Sequence, residues 1–142
     1  MVKQTKCKMD PAWKRRLQKA NKEYPVLQPL RKKLLKMGGA EIAPQPEPQL
    51  KKIIKRGELI DLPVRMQRMR AINCHQNVSE LFHDDKIDAI ATGWVLNDDC
   101  VWRQHTWGLK DDHIIETTVK RKKYFGVVLN DKEGMRFMRN NL

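Results

Sequence analysis

Residues 74–85 read CHQNVSELFHDD, and residues 86–129 continue KIDAIATGWVLNDDCVWRQHTWGLKDDHIIETTVKRKKYFGVVL. In the first stretch Val78, Leu81 and Phe82 recur at i, i+3 and i+4, the spacing of one helix face. A short amphipathic helix is therefore expected from Cys74 to the turn at His83, Asp84 and Asp85. Beta-favouring residues dominate the second stretch. They predict strands over Ile87 to Leu96, Val101 to Leu109, Ile114 to Val119 and Tyr124 to Leu129, separated by Asn97-Asp98-Asp99, Lys110-Asp111-Asp112 and the basic run Lys120 to Lys123. A helix followed by such a meander predicts an α+β fold, with an antiparallel sheet packed against the helix that carries Cys74.

Upstream of Cys74 the pattern is helical and basic. Asp10 is a candidate N-cap with Pro11 at the first helical position, and Trp13, Leu17 and Ala20 follow at helical spacing. A second helix is expected from Pro25 or Pro29, with Leu30, Leu34 and Leu35 on one face, ending at Gly38-Gly39. Three alternate prolines between Ala43 and Pro48 predict an extended connector. A third helix is expected over Pro48 to Arg56, stopping at Gly57. Leu59 to Ile72 fits either a short helix or a coil. Asp131 is a candidate cap for a final helix carrying Met135 and Met138. Two parts are expected: a basic helical N-terminal segment, 1–45, and an α+β domain, 46–142.

The chain has 142 residues, enough for one domain with a real core. Trp94, Trp102 and Trp107 lie within fourteen residues of one another, where that core is expected. The formal net charge is +12, and it is unevenly placed. Residues 1–70 hold 19 Lys and Arg against 6 Asp and Glu, whereas residues 71–142 hold 10 against 11. Lys14, Arg15, Arg16, Arg31, Lys32, Lys33, Lys51, Lys52, Lys55 and Arg56 put cations on helix faces, as phosphate-backbone contact requires, so nucleic acid or an acidic protein is a candidate partner. A solvated helix face is the competing reading. No run approaches the roughly 18 apolar residues of a membrane span, and the basic N-terminus has no apolar stretch behind it. The three cysteines, Cys7, Cys74 and Cys100, are odd in number and lack Cys-x-x-Cys spacing, so no disulfide framework is expected and a cytoplasmic setting fits.

A cysteine becomes nucleophilic when a helix N-terminus or an adjacent imidazolium favours its thiolate. Cys74 begins a predicted helix. His105 stands in the middle of a predicted strand, on the same face as Trp107. A hairpin turn centred on Asp111 puts position 116 opposite about position 106, so Glu116 is a cross-strand neighbour able to orient the His105 ring.

The order Cys74 on a helix, Gly93-Trp94 in one strand, His105-Thr106-Trp107 in the next and Glu116-Thr117-Thr118 in a third resembles the transglutaminase-like branch of the papain-like superfamily, over roughly residues 70–130. The resemblance implies a thiol-dependent hydrolase or acyltransferase acting on a protein or peptide: Cys74 attacks an acyl carbon, His105 activates it and protonates the leaving group, and Glu116 orients His105. The family usually carries Asp where Glu116 stands. Besides the Cys74 backbone, Gln67, Gln76 and Asn77 are candidate oxyanion donors, with Trp94 and Trp107 as candidate cleft residues. No cofactor is expected. Cys74, His75, Cys100, His105 and His113 offer zinc-type ligands, but their spacing matches no finger or ribbon, so no metal is expected either. The alternative function is that of a non-catalytic binding protein working through the basic segment.

Overall fold

The computed structural model describes residues 7–142. Helix α1, Pro11–Lys22, begins where Asp10 accepts a hydrogen bond from the Trp13 amide. A 3-10 turn at Pro25–Leu27 leads into α2, Gln28–Met37, which stops at Gly38 with φ of 140°, a value that favours glycine. Strand β1, Glu41–Ile42, precedes the proline-rich connector, and α3, Leu50–Arg56, follows it. Strand β2, Glu58–Leu59, ends at the start of the stretch that sequence left between helix and coil, and β3, Val64–Met66, lies within it. Next come α4, Cys74–His83, and four strands: β4, Ala89–Leu96; β5, Val101–Lys110; β6, His113–Glu116; β7, Lys123–Val128. The last helix, α5, Asp131–Asn141, is capped by Asn130 and not by Asp131. Asn130 and Glu133 bond each other's backbone amides there in a capping box.

The fold is α+β. Its sheet runs β2-β7-β4-β5-β6-β3 and is mostly antiparallel, with two parallel pairings, β3 to β6 and β1 to β5, that the expected meander lacks. Strand β4 is buried on both faces. One face carries Ile90, Trp94 and Leu96, which join Trp102, Phe125 and Val127 and pack against Leu30, Leu34, Ile53, Val78 and Leu81 from the helices. The other carries Ala91 and Val95, which join Trp107, Ile114 and Tyr124 beneath Ile60, Leu62 and Val64. Gly93 and Gly126 face each other across β4 and β7. A Cβ on Gly93 would lie 2.0 Å from the Phe125 carbonyl oxygen, so this crossing of backbones requires glycine.

The N-terminal helices belong to the main core through Leu27, Leu30 and Leu34. They are also tied down by Glu41, which is fully buried on β1. Arg31 donates to both its carboxylate oxygens, at 2.6 and 2.9 Å, and the Asn21 side chain adds a third bond at 3.0 Å. A further tie corrects the cysteine reading: Cys7 and Cys100 form a disulfide, leaving Cys74 free. An odd count forbids pairing all three cysteines but not two, and the fold brings these Cα atoms to 5.5 Å.

Candidate active site

The segment before α4 is laid along the end of β6. The Gln67 amide donates to the Glu116 carbonyl at 2.8 Å and the Met69 amide to that of Thr117 at 2.9 Å. Asn77, fully buried, donates its side-chain N–H groups to the Arg70 carbonyl and to Thr117 Oγ1, at 2.8 and 3.2 Å. It fastens this turn and is not an oxyanion donor. The chain then passes through Ile72, a β-branched residue at φ of 69° that is 96% exposed, and enters α4 at Cys74. Asn73 at the N-cap makes no side-chain cap bond, so the first-turn amides of Cys74, His75 and Gln76 remain without a side-chain cap.

Strand β5 receives this helix end at a gap in its pairing. One edge is matched to β4 throughout, while the other meets β1 at Val101 and Trp102 and β6 only from Gly108. Between them the edge is open. Its outward amides are those of Gln104 and Thr106: the Gln45 side-chain oxygen accepts from the first at 3.2 Å, and the second is near enough to Cys74 to favour its thiolate.

His105, only 3% exposed, bonds Glu116 and lines the cleft together with Cys74, close enough to act on its thiol. Its Nε2 donates to both Glu116 oxygens, at 2.9 and 3.1 Å, which leaves Nδ1 uncommitted to Glu116. Trp107 stacks beside the ring at 6.2 Å between centroids. The register Gly108 to Ile115 sets Glu116 across from Trp107 and not, as the turn count gave, beside position 106. His105 is thus a diagonal neighbour, and the longer arm of Glu spans the diagonal. Glu116 is itself held by Tyr124 Oη at 2.9 Å, by Thr118 N and Oγ1 each at 3.0 Å, and by Arg121 at 3.7 Å.

These contacts set the charges. Burial pushes the Cys74 thiol up, but the polarity and charge of nearby His105, with the Thr106 amide, outweigh it and hold the thiol below its ordinary range. Burial pulls His105 down, and nearby Cys74 with the bonded Glu116 outweigh it, so the imidazolium is favoured. Glu116 would rise on burial yet is held low by His105. Both shifts run toward a thiolate–imidazolium pair, with the Glu116 carboxylate behind it.

Cys74 and His105 open on a cleft of about 670 Å³, whose walls include Gln45, Gln76, Gln104 and the exposed apolar side chains of Ile72 and Val119. Gln76 lines the cleft; Gln67 does not. Trp94 and Trp107 are completely buried and line nothing, which removes them as cleft residues: their ring size serves the core. Gln45, Gln104 and His75 were missed by sequence. Gln45 lay in a stretch read as a linker, and only the pairing of β1 with β5 brings it to the cleft. His75 bonds Gln104 at 3.1 Å and is kept below the usual histidine range by burial.

Three of the cations read as binding residues have other tasks. Arg31 neutralises Glu41, Lys33 donates to the Ile54 carbonyl, and Lys52 pairs with Glu133. Among the described residues no three His, Cys, Asp or Glu side chains are grouped to hold a metal ion, and no helix is long and apolar enough to cross a membrane. Set against protein-family models, curated proteins and solved structures, the chain finds no match.

Proposed function

We propose that the protein is a thiol-dependent hydrolase or acyltransferase acting on an amide of a protein or peptide. The observation that carries this reading is that Cys74 and His105 line one open cleft while His105 is bonded from behind by the Glu116 carboxylate. The Cys74 thiolate attacks the acyl carbon, and the carbonyl π pair moves onto oxygen. That oxyanion meets the Cys74 amide and the Gln45 side-chain N–H2, whose oxygen is already held by β5. Collapse restores the carbonyl and expels the amine, which takes its proton from the His105 imidazolium, leaving a thioester and neutral imidazole. His105 then takes a proton from water, or from an amine in acyl transfer, as that nucleophile attacks the thioester and the thiolate departs.

The test uses iodoacetamide on the native protein, where Cys74 is the free cysteine. Its alkylation rate at pH 6 should exceed that of glutathione, and His105→Ala should abolish the excess while the variant stays folded by circular dichroism. A Cys74 that alkylates no faster than glutathione in the wild-type protein overturns the proposal.

A further inference from the structure

A second chamber, of about 310 Å³, adjoins the main cleft, and His75, Gln104 and Asn141 line both. It lies on the far side of the nucleophile's immediate neighbour and takes its other walls from the connector and from α5. Its distinguishing group is Glu47. One carboxylate oxygen, Oε2, accepts from the Gln49 amide at 3.1 Å. The other, Oε1, is shielded from solvent and has no hydrogen-bond partner. Gln104 lies close enough to favour the carboxylate but makes no bond to Oε1. The chamber's other carboxylate, Glu133, is already matched by Lys52 and by the Asn130 amide, and Arg136 forms no ion pair with Glu47. Burial correspondingly raises the Glu47 carboxyl above its usual range, as for an acid still lacking its cation.

An ionised carboxylate oxygen only accepts hydrogen bonds, so its complement is a donor, and in a shielded site a charged one. The aromatic rings of Phe137 and His75, packed edge to face at 5.4 Å, offer an apolar wall for methylene groups. We propose that this chamber is the subsite for a primary ammonium group on the substrate, with Glu47 as its specificity-determining residue. The inference rests on Cys74 as the nucleophile and adds which amides, or which amines, it handles. An ammonium seated there belongs either to a peptide amino terminus or to an alkylamine of the lysine type.

Two pairs of chloroacetamide probes separate these sources. One bears a glycyl arm ending in an α-ammonium, the other a 5-aminopentyl arm, and each is matched by its N-acetylated twin. In the wild-type protein the free amine of at least one pair should alkylate Cys74 on the order of tenfold faster than its twin, and the pair that does so names the source. Glu47→Gln should bring that ratio near unity while leaving the rate with iodoacetamide unchanged. Equal rates within both pairs, with rapid labelling by iodoacetamide, overturn the subsite and leave the nucleophile standing. A preference that persists in Glu47→Gln overturns the assignment to Glu47. Labelling by iodoacetamide no faster than that of glutathione overturns the nucleophile instead. The twin comparison requires no variant, so a poorly folding Glu47→Gln does not blunt it.

Discussion

Replacing Glu116 by Gln tests the site at the point where sequence and family pattern disagree. Oε1 receives His105 Nε2–H and Tyr124 Oη, and Oε2 receives His105 with the amide and hydroxyl of Thr118. A carboxamide put there must turn its N–H2 toward one of these sets. Facing Oε1's partners it confronts the imidazolium, and facing Oε2's it confronts the Thr118 amide, which cannot reverse. At least one bond to a charged group is lost, about 1.5–3 kcal/mol, or roughly ten- to a hundredfold in the imidazolium's equilibrium. A second effect opposes this one. The Glu116 charge acts directly on Cys74 and pushes the thiol up, so removing it favours thiolate. That influence is smaller than the influence of His105, so the loss of imidazolium prevails. Iodoacetamide alkylation followed against pH should therefore shift to higher pH in Glu116→Gln, with the rate near pH 6 down about tenfold or more and the two curves converging in alkali. Glu116→Asp should behave similarly, because shortening the arm by one carbon–carbon bond, about 1.5 Å, takes the carboxylate off a diagonal it just spans. If both variants keep the wild-type profile, Glu116 does not govern the pair.

Turnover should be bell-shaped in pH. The folded Cys74 lies below its unfolded value and the folded His105 above its own, so with the ion pair as the reactive form, activity falls as pH drops through the folded Cys74 value or rises through the folded His105 value. Single-turnover acylation with a chromogenic amide measures both limbs, and a flat profile between pH 5 and 9 would contradict the pairing. Reducing the Cys7–Cys100 disulfide frees a loop of 93 residues' separation, for which chain entropy gives about 4–5 kcal/mol. Urea melts of Cys74→Ala with and without a phosphine reductant should show a loss of that order. Arg31→Ala strands the buried Glu41 carboxylate and should cost about 3–5 kcal/mol in the same assay, whereas an unchanged midpoint would mean that Glu41 finds another partner. Gly93→Ala should yield insoluble or unfolded protein, since its Cβ meets backbone and not a movable side chain; a soluble variant with wild-type circular dichroism would refute that.

Long periodic elements were legible in the sequence because their signal is local. The α4 face of Val78, Leu81 and Phe82, the four strands after it and the Asp10 cap need only neighbours along the chain. Strands β1, β2 and β3, of two or three residues each, carry no period to read, and each exists because a distant strand supplies its ladder: β1 on β5, β2 on β7, β3 on β6. The disulfide was illegible for the same reason, since its two cysteines stand 93 positions apart. Trp94 and Trp107 show the converse limit: sequence correctly put both among core residues, yet also offered them to the cleft, and the alternation of a strand buried on both faces leaves them none of it.

The unread strands are also what make the site. Had β6 run the full length of β5, the amides of Gln104 and Thr106 would be consumed by a ladder, and the start of α4 would have no edge to meet. Because β6 ends its pairing at Gly108 and β1 covers only Val101 and Trp102, those two amides stay out of any ladder: Gln45 takes the first, and the second is turned to the edge where Cys74 arrives. The short β1 also directs the connector so that Gln45 and Glu47 arrive beside His75 and Gln104. Three alternate prolines keep that connector extended and deny it a helix, so what reads along the chain as a linker is, in the fold, one wall of the cleft. The Cys74, His105 and Glu116 order was readable because helix and hairpin are local devices. The other groups that line the cleft beside Cys74 depend on a non-local pairing two residues long, and no pattern in the sequence announces it.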